Sequence, residues 1–119
     1  MPNTFGAPEI SVREVAQKIS ESGDFIILDV RELWETALAG LKDERVRLAP
    51  LSELAYKGTD ALPPEASQKG AEIIVICHHG IRSAEVAAWL GMQGWSSVHS
   101  MEGGLEAFAA EVDPSIGRY

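Results

Sequence analysis

Short runs of consecutive apolar residues recur along this chain, and each is followed by a polar segment. One run covers residues 25–30 and is interrupted only by Asp29, and another covers residues 73–76 with three isoleucines and one valine. Runs of this length and composition predict strands that are buried on both faces of a parallel sheet. Residues 97–101 predict a last short strand, and residues 9–10 and 46–48 predict two brief extended pieces.

Apolar residues at helical spacing lie between these runs. From Val12 to Ile19 they fall at i, i+3, i+4 and i+7, and Ser11 begins a capping-box pattern just before this stripe. Further helices are predicted for residues 51–54, 84–93 and 105–111, the second of them started by Ser83. Residues 57–70 predict mostly a surface loop. Strands that alternate with helices at this spacing predict an α/β domain with a mainly parallel sheet and helices on both faces.

The composition limits the kinds of function that the chain can have. It has 119 residues, of which 45% are hydrophobic, and a formal net charge of −8. We expect one domain over residues 1–119, with a loose leader at residues 1–8 and a tail at residues 112–119 that packs loosely or frays. The acidic balance argues against nucleic acid as a partner, and no apolar run is long enough to cross a membrane. A cytoplasmic location is therefore expected, with a monomer as the default state.

The only cysteine, Cys77, comes directly after the apolar run at residues 73–76. Open parallel sheets place their ligands at the carboxyl ends of strands, and a helix beginning just beyond would favour a negative charge at the sulfur. One cysteine forms no internal disulfide, and with three scattered histidines it makes no structural zinc site. We expect a reactive thiolate that attacks sulfur or phosphorus of an anionic substrate, with no metal and no cofactor. The alternative is a small buried hydrophobe at a strand end.

The residues after Cys77 have separate expected roles. Gly80 predicts a positive φ in a tight turn. For His78 and His79 we expect exposed side chains, with backbone N–H groups that donate to the sulfur or to a substrate anion. Arg82 can hold the substrate anion, or it can form a structural ion pair with an acidic residue of the first loop, Asp29, Glu32 or Glu35.

The first apolar run also ends in charged residues. Because parallel strands share one carboxyl edge, Asp29 and Arg31 can lie near Cys77, although Asp29 can equally cap the turn that follows it. Residues 32–35 predict a helical turn at this edge. The three tryptophans, Trp34, Trp89 and Trp95, are expected to be packing residues.

Three motifs occur in an order and spacing that resemble a known family. They are D-V-R-E at residues 29–32 with Glu35 following, C-H-H-G-I-R-S at residues 77–83, and G-G-L-E-A-F at residues 103–108. Over roughly residues 10–119 they resemble the rhodanese domain, with the C-x-x-G-x-R-S loop as the most specific element. The resemblance implies a rhodanese-like α/β fold, a roughly five-stranded, mainly parallel sheet with helices on both faces.

The resemblance also implies a thiosulfate sulfurtransferase of the rhodanese type. Cys77 matches the cysteine that takes a sulfane sulfur from a small anionic donor such as thiosulfate, becomes a persulfide, and passes the sulfur to cyanide, to an external thiol or to a sulfur-acceptor protein. Asp29, Arg31 and Glu35 match supporting positions. The substrate loop, whose backbone amides surround the sulfur, is matched by His78, His79, Gly80, Ile81, Arg82 and Ser83.

The chain departs from the family pattern at residues 39–50, which bears on the pocket rim and the choice of donor. Two other functions stay open. One is a cysteine-dependent phosphatase or an oxyanion reductase of related loop type. Such phosphatases place five residues between cysteine and arginine, whereas four separate Cys77 from Arg82, which makes a tighter cradle. The other is a non-catalytic interaction module of the same fold, although inactive relatives tend to lack the cysteine.

Overall fold

Five parallel strands form one sheet in the computed structural model, which describes residues 3–119. The strands follow one another in space as β1-β5-β4-β2-β3, and every neighbouring pair is parallel. Their bounds are β1 (Glu9–Ile10), β2 (Ile26–Asp29), β3 (Val46–Leu48), β4 (Ile73–Ile76) and β5 (Val98–Met101). The predicted five-stranded parallel sheet is therefore confirmed.

Residues 3–119 contain four α-helices, α1 (Val12–Ser20), α2 (Leu51–Lys57), α3 (Ile81–Met92) and α4 (Gly104–Glu111), of which the first three lie between strands and α4 follows β5. Short 3₁₀ helices lie at Leu33–Ala37, Gly58–Ala61, Pro64–Ala66 and Pro114–Ile116. The predicted loop at residues 57–70 thus contains the end of α2 and two of these 3₁₀ helices. Within residues 3–119, no helix has both the length and the apolar character needed to cross a membrane.

The central strand β4 is buried along its whole length and supplies side chains to two hydrophobic cores. Ile73 and Val75 face the core that includes residues of α2 and α3. Ile74 and Ile76 point to the opposite side and pack with residues of α1 and α4. Because each of these side chains is removed from water, its burial contributes about 1.5–3 kcal/mol, and this fixes the strand that leads to Cys77.

The start of helix α3 differs from the prediction. Helix α1 begins as expected, since the Ser11 hydroxyl accepts a hydrogen bond of 3.1 Å from the Glu14 N–H. Helix α3, however, begins at Ile81 after Gly80, which has a φ of 89° that a residue with a Cβ rarely adopts. Ser83 therefore lies in the first turn and is completely buried, so it is not the residue that starts the helix.

Both ends of the described chain are more ordered than predicted. The Asn3 side chain accepts hydrogen bonds from the N–H groups of Phe5 and Ala7, and Ala7 is buried, so the leader forms a closed turn. Residues 1 and 2 of the predicted leader lie outside the described residues. In the tail, Ile116 is buried and its carbonyl accepts a hydrogen bond from Gly40. The prediction of a loose tail was wrong because these contacts join segments far apart in sequence.

The tryptophans have different environments. Trp95 is buried, and its Nε1 donates a 2.9 Å hydrogen bond to the Ala66 carbonyl, as expected for a packing residue. Trp89 is partly buried against the same core. Trp34 is 67% exposed, so its prediction as a packing residue was wrong. It lies on the short 3₁₀ helix at Leu33–Ala37, which buries Glu35 toward the protein instead.

Candidate active site

Cys77 follows β4 at the middle of the sheet and is 1% exposed. Its Sγ accepts hydrogen bonds from the backbone N–H groups of Gly80, at 3.1 Å, and Ser83, at 3.3 Å. Both groups belong to the loop and first turn of α3, whose N–H groups have no partner inside the helix and whose dipole favours a negative charge. The sequence predicted this arrangement of strand, thiol and helix start.

Two buried serines extend the hydrogen bonds around the sulfur. The Ser83 Oγ lies 3.4 Å from the Cys77 Sγ and 2.8 Å from the Ser100 Oγ. Both serines are completely buried. A hydroxyl can accept a hydrogen bond from the thiol or donate one to the thiolate, so these hydrogen bonds can adjust when the charge of the sulfur changes. The sequence singled out Ser83 but not Ser100, whose only local signal is a serine inside an apolar strand.

The backbone of residues 103–106 packs against the loop that follows Cys77. The carbonyl of Cys77 accepts a 2.9 Å hydrogen bond from the Leu105 N–H, and the next carbonyl accepts one from α4 as well. A Cβ on Gly80 would come within 2.8 Å of the Gly103 nitrogen, and a Cβ on Gly104 would strike the His78 carbonyl. The two motifs, distant in sequence, therefore pack backbone against backbone, and glycine is required on both sides.

Asp29 and Arg31 form a buried pair at the same edge of the sheet. Arg31 Nη2 lies 2.7 Å from Asp29 Oδ2, and the Arg31 backbone N–H donates to Asp29 Oδ1 at 3.1 Å. The carboxylate therefore pairs with Arg31 and caps the turn, and capping was the second of the two predicted alternatives. Burial by itself would lower the pKa of Arg31, but the hydrogen bonds to Asp29 and to the Tyr119 hydroxyl outweigh it and raise that pKa.

Glu35 is the ion-pair partner of Arg82. Arg82 Nη1 lies 2.7 Å from Glu35 Oε2 and Nη2 lies 2.9 Å from Oε1, a two-point contact. The Glu35 side chain is 5% exposed and that of Arg82 is 31% exposed. The hydrogen bonds from Arg82 lower the pKa of Glu35 to about 2, and the same contact raises the pKa of Arg82. Of the three carboxylates offered by the sequence, Arg82 pairs with Glu35.

An aromatic stack of three rings adjoins the loop. The His78 ring lies 3.8 Å, centroid to centroid, from both the His79 ring and the Tyr119 ring. His79 is exposed as predicted, but His78 is only partly exposed and lies between the other two rings, so its prediction as exposed was wrong. Burial, followed by the charge of His79, lowers the pKa of His78.

Tyr119, like Ser100, is a site residue that the sequence did not reveal. Its hydroxyl lies 3.0 Å from Glu35 Oε1 and 3.2 Å from Arg31 Nη1. Burial is the main reason why the pKa of Tyr119 is raised. The residue stands 84 positions from Glu35 in the chain, so no local pattern could place it here.

Ile81 is the remaining residue of the predicted substrate loop. Ile81 is 67% exposed at the start of α3, so its side chain is open to solvent beside the loop. Among residues 3–119, no three His, Cys, Asp or Glu side chains gather in a way that could hold a metal ion. The structure therefore joins the loop at residues 77–83 to Glu35 through the Arg82 contact. Tyr119 joins Glu35 to Arg31, which pairs with Asp29 at the same edge of the sheet.

Comparison with known proteins gives the family. The family model described as "Rhodanese-like domain" matches residues 11–111. The chain is 35% identical over 115 residues to a rhodanese-like/PpiC domain-containing chloroplast protein of Arabidopsis thaliana, spanning 93% of this chain and 37% of that protein. It is 30% identical over 108 residues to a putative sulfurtransferase of Bacillus subtilis, spanning 89% of this chain and 94% of the relative.

Solved structures agree with this assignment. A rhodanese-like domain protein from Staphylococcus aureus superimposes with a TM-score of 0.71 at 27% identity, over 88% of this chain and 94% of the other. A human single-domain sulfurtransferase has the same fold, with a TM-score of 0.69 at 21% identity, over 89% of this chain and 98% of the other. With the three motifs, the five-stranded parallel sheet and the family match over most of its length, the chain belongs to the rhodanese-like domain family.

Proposed function

We propose that this protein is a sulfurtransferase in which Cys77 carries a sulfane sulfur as a persulfide. The observation that supports this most is the pair of backbone N–H groups, from Gly80 and Ser83, that point at the Cys77 Sγ from the start of α3. Such donors stabilise a negative charge at no cost of rearrangement during the reaction. Relatives named sulfurtransferase, among them the Bacillus subtilis protein and one from Allochromatium vinosum, support the same activity class.

The first step of the proposed reaction charges the enzyme. The Cys77 thiolate attacks the outer sulfur of a thiosulfate-like donor and forms an S–S bond to it. The S–S bond of thiosulfate breaks, and sulfite leaves with the electron pair of that bond. The negative charge ends on the outer sulfur of the persulfide, where the loop N–H groups can stabilise it. Arg82 is assigned to guiding the anionic donor to the loop.

The second step discharges the enzyme to an external acceptor. Cyanide or a thiolate attacks the outer sulfur of the persulfide, the S–S bond breaks, and the Cys77 thiolate is released. Because Cys77 is the only cysteine in the sequence, no second thiol of this chain can take the sulfur. The acceptor is therefore a separate thiol or a sulfur-acceptor protein. A putative sulfur carrier protein of Bacillus subtilis, 29% identical over 111 residues, is in keeping with this class of partner.

Two further assignments belong to this proposal. A cytoplasmic location suits the reaction, because the thiol must return to its reduced form after each cycle. A monomer suffices, because every assigned site residue comes from one chain.

Intact-protein mass spectrometry tests the proposal. After incubation with thiosulfate and removal of excess donor, we expect a gain of one sulfur atom, and addition of cyanide should reverse it with release of thiocyanate. Cys77→Ser is the matched control, since it keeps the size of the side chain and removes the nucleophile. If the wild-type mass stays the same with thiosulfate and with a small persulfide donor, the proposal is wrong.

A phosphatase remains the competing reaction, and the length of the loop disfavours it. Cysteine-dependent phosphatases place five residues between cysteine and arginine, whereas four separate Cys77 from Arg82. Hydrolysis of an aryl phosphate that disappears in Cys77→Ser would favour that alternative. An interaction module would show neither reaction, and its partner binding would be unchanged in Cys77→Ser.

A further inference from the structure

The tail residue Tyr119 joins the two ion pairs of the site. Its hydroxyl donates to Glu35, which binds Arg82, and accepts from Arg31, which binds Asp29. We propose that Tyr119 is a positioning residue, which keeps Glu35 on Arg82 and so holds the Arg82 guanidinium ready for an anionic donor. This inference rests on the proposed function for the identity of the donor, but not for the geometry.

The hydroxyl bridges Arg31 and the Glu35 carboxylate. Arg31 is 1% exposed and cannot turn to solvent, so its Nη1 needs an acceptor inside the protein. That nitrogen now contacts the Tyr119 hydroxyl at 3.2 Å and the Glu35 backbone carbonyl at 3.2 Å. Without the hydroxyl, Nη1 would keep only the Glu35 carbonyl, and Glu35 Oε1 would lose the donor that binds it beside Arg82.

The tail is built to hold Tyr119 in place. Gly40 donates a 3.0 Å hydrogen bond to the Ile116 carbonyl, and the Ile116 side chain is buried. Gly117, at a φ of 96°, passes so close to the chain that an added Cβ would lie 2.6 Å from the Leu38 carbonyl. Residues 39–40 belong to the segment that departs from the family pattern, so in this chain that segment receives the tail. Arg118 forms an ion pair with Glu106 of α4.

Removing the hydroxyl changes the order of Arg82 but not the charge of the site. In Tyr119→Phe the ring can still stack on His78, and Asp29, Arg31, Glu35 and Arg82 keep their charges. The long-range attraction of an anion is therefore the same as in the wild type. A released Arg82 must instead be fixed when the anion arrives, and the ordering of one long side chain weakens binding by about threefold to tenfold.

Steady-state kinetics with thiosulfate and cyanide give the first test. For Tyr119→Phe we expect the KM for thiosulfate to rise about threefold with kcat within roughly twofold of wild type, because binding is weakened and the sulfur chemistry is untouched. Tyr56→Phe is the matched control, since Tyr56 is 87% exposed on α2, and it should leave both constants unchanged. An unchanged KM, or a fall in kcat alone, would overturn the proposal.

Alkylation of Cys77 gives a test that does not require turnover. Iodoacetate is an anion and iodoacetamide is neutral, so the ratio of their rate constants reports how well the site binds an anion, independently of thiol reactivity. We expect this ratio to fall about threefold in Tyr119→Phe and to stay constant in Tyr56→Phe. If wild type accepts no sulfur but the ratio falls, the proposed function fails and the positioning role stands. A constant or increased ratio, or a wild-type thiol that resists both reagents, overturns the positioning role.

Discussion

The Glu35–Arg82 ion pair allows a prediction whose size follows from the structure. The two oxygens of Glu35 accept four hydrogen bonds, two from Arg82 and one each from the Glu32 N–H and the Tyr119 hydroxyl. Glu35→Gln keeps the shape of the side chain and removes its charge. Whichever way the new amide is turned, its NH₂ group faces an N–H of Arg82, so at least one of these bonds is lost.

The pKa of Glu35 gives the magnitude and the pH dependence. A pKa lowered from 4.5 to about 2 corresponds to ~3 kcal/mol of stabilisation at neutral pH. Arg82 is 31% exposed, so solvent screening reduces this to about 2 kcal/mol. Because the folded-state pKa lies below the unfolded one, this stability is fully present above pH 4.5 and is lost as the pH falls toward about 2. Near pH 3 roughly half of it should remain.

Urea unfolding of wild type and Glu35→Gln, followed by tryptophan fluorescence, measures this difference. We expect the variant to unfold at a lower urea concentration at neutral pH, by about 2 kcal/mol in the free energy of unfolding, with the slope unchanged. The two proteins should converge as the pH is lowered. Glu65→Gln is the control, because Glu65 pairs with Arg47 in solvent, with both side chains more than a third exposed, and should have little effect.

Two results would refute this reasoning. A difference between wild type and Glu35→Gln that stays constant from neutral to acid pH would mean that the carboxylate charge contributes nothing to stability. A loss no larger than that of Glu65→Gln would mean that burial of the pair has no energetic consequence.

Four further substitutions should change stability in a defined direction, each measured by urea unfolding. Gly104→Ala should cost about 2–4 kcal/mol, since its φ is 66° and the new Cβ strikes the thiol loop. Gly91→Ala, on an open face of α3, should instead add about 0.5–1 kcal/mol. Trp95→Phe should cost about 1–3 kcal/mol by leaving a buried carbonyl unpaired, whereas Trp34→Phe should stay within about 0.5 kcal/mol of wild type. Ser83→Ala should cost about 1–2 kcal/mol through its buried hydroxyl, and equal stability would contradict that bond.

Much of the thiol loop could be predicted from its own residues. A run of isoleucine and valine is favourable in a strand only when both faces of the strand are buried. This pattern predicts β4 and places Cys77 at its end. A glycine three residues later permits the positive φ that turns the chain into α3. These features depend on local sequence, because each is set by the side chains and dihedral angles of neighbouring residues.

The ends of the chain and the polar network could not be predicted in this way. Ser11 starts α1 as expected, whereas α3 begins after Gly80, and the Ser83 hydroxyl is hydrogen-bonded to Ser100 on a neighbouring strand. Nothing near Ser83 in the sequence distinguishes a helix start from a buried first turn. The tail was predicted to be loose because its contacts are with the segment around Gly40, which is far from it in the sequence.

By itself, then, the sequence determined the strands, the helices, the glycine turn and the position of Cys77. Only the tertiary structure decided that Arg82 pairs with Glu35, that Ser100 adjoins the thiol, and that Tyr119 joins the two ion pairs. The reason is physical. Local structure depends on interactions within a few residues, whereas hydrogen bonds and ion pairs between distant segments depend on the order of strands in the sheet, which brings their carboxyl ends to one edge.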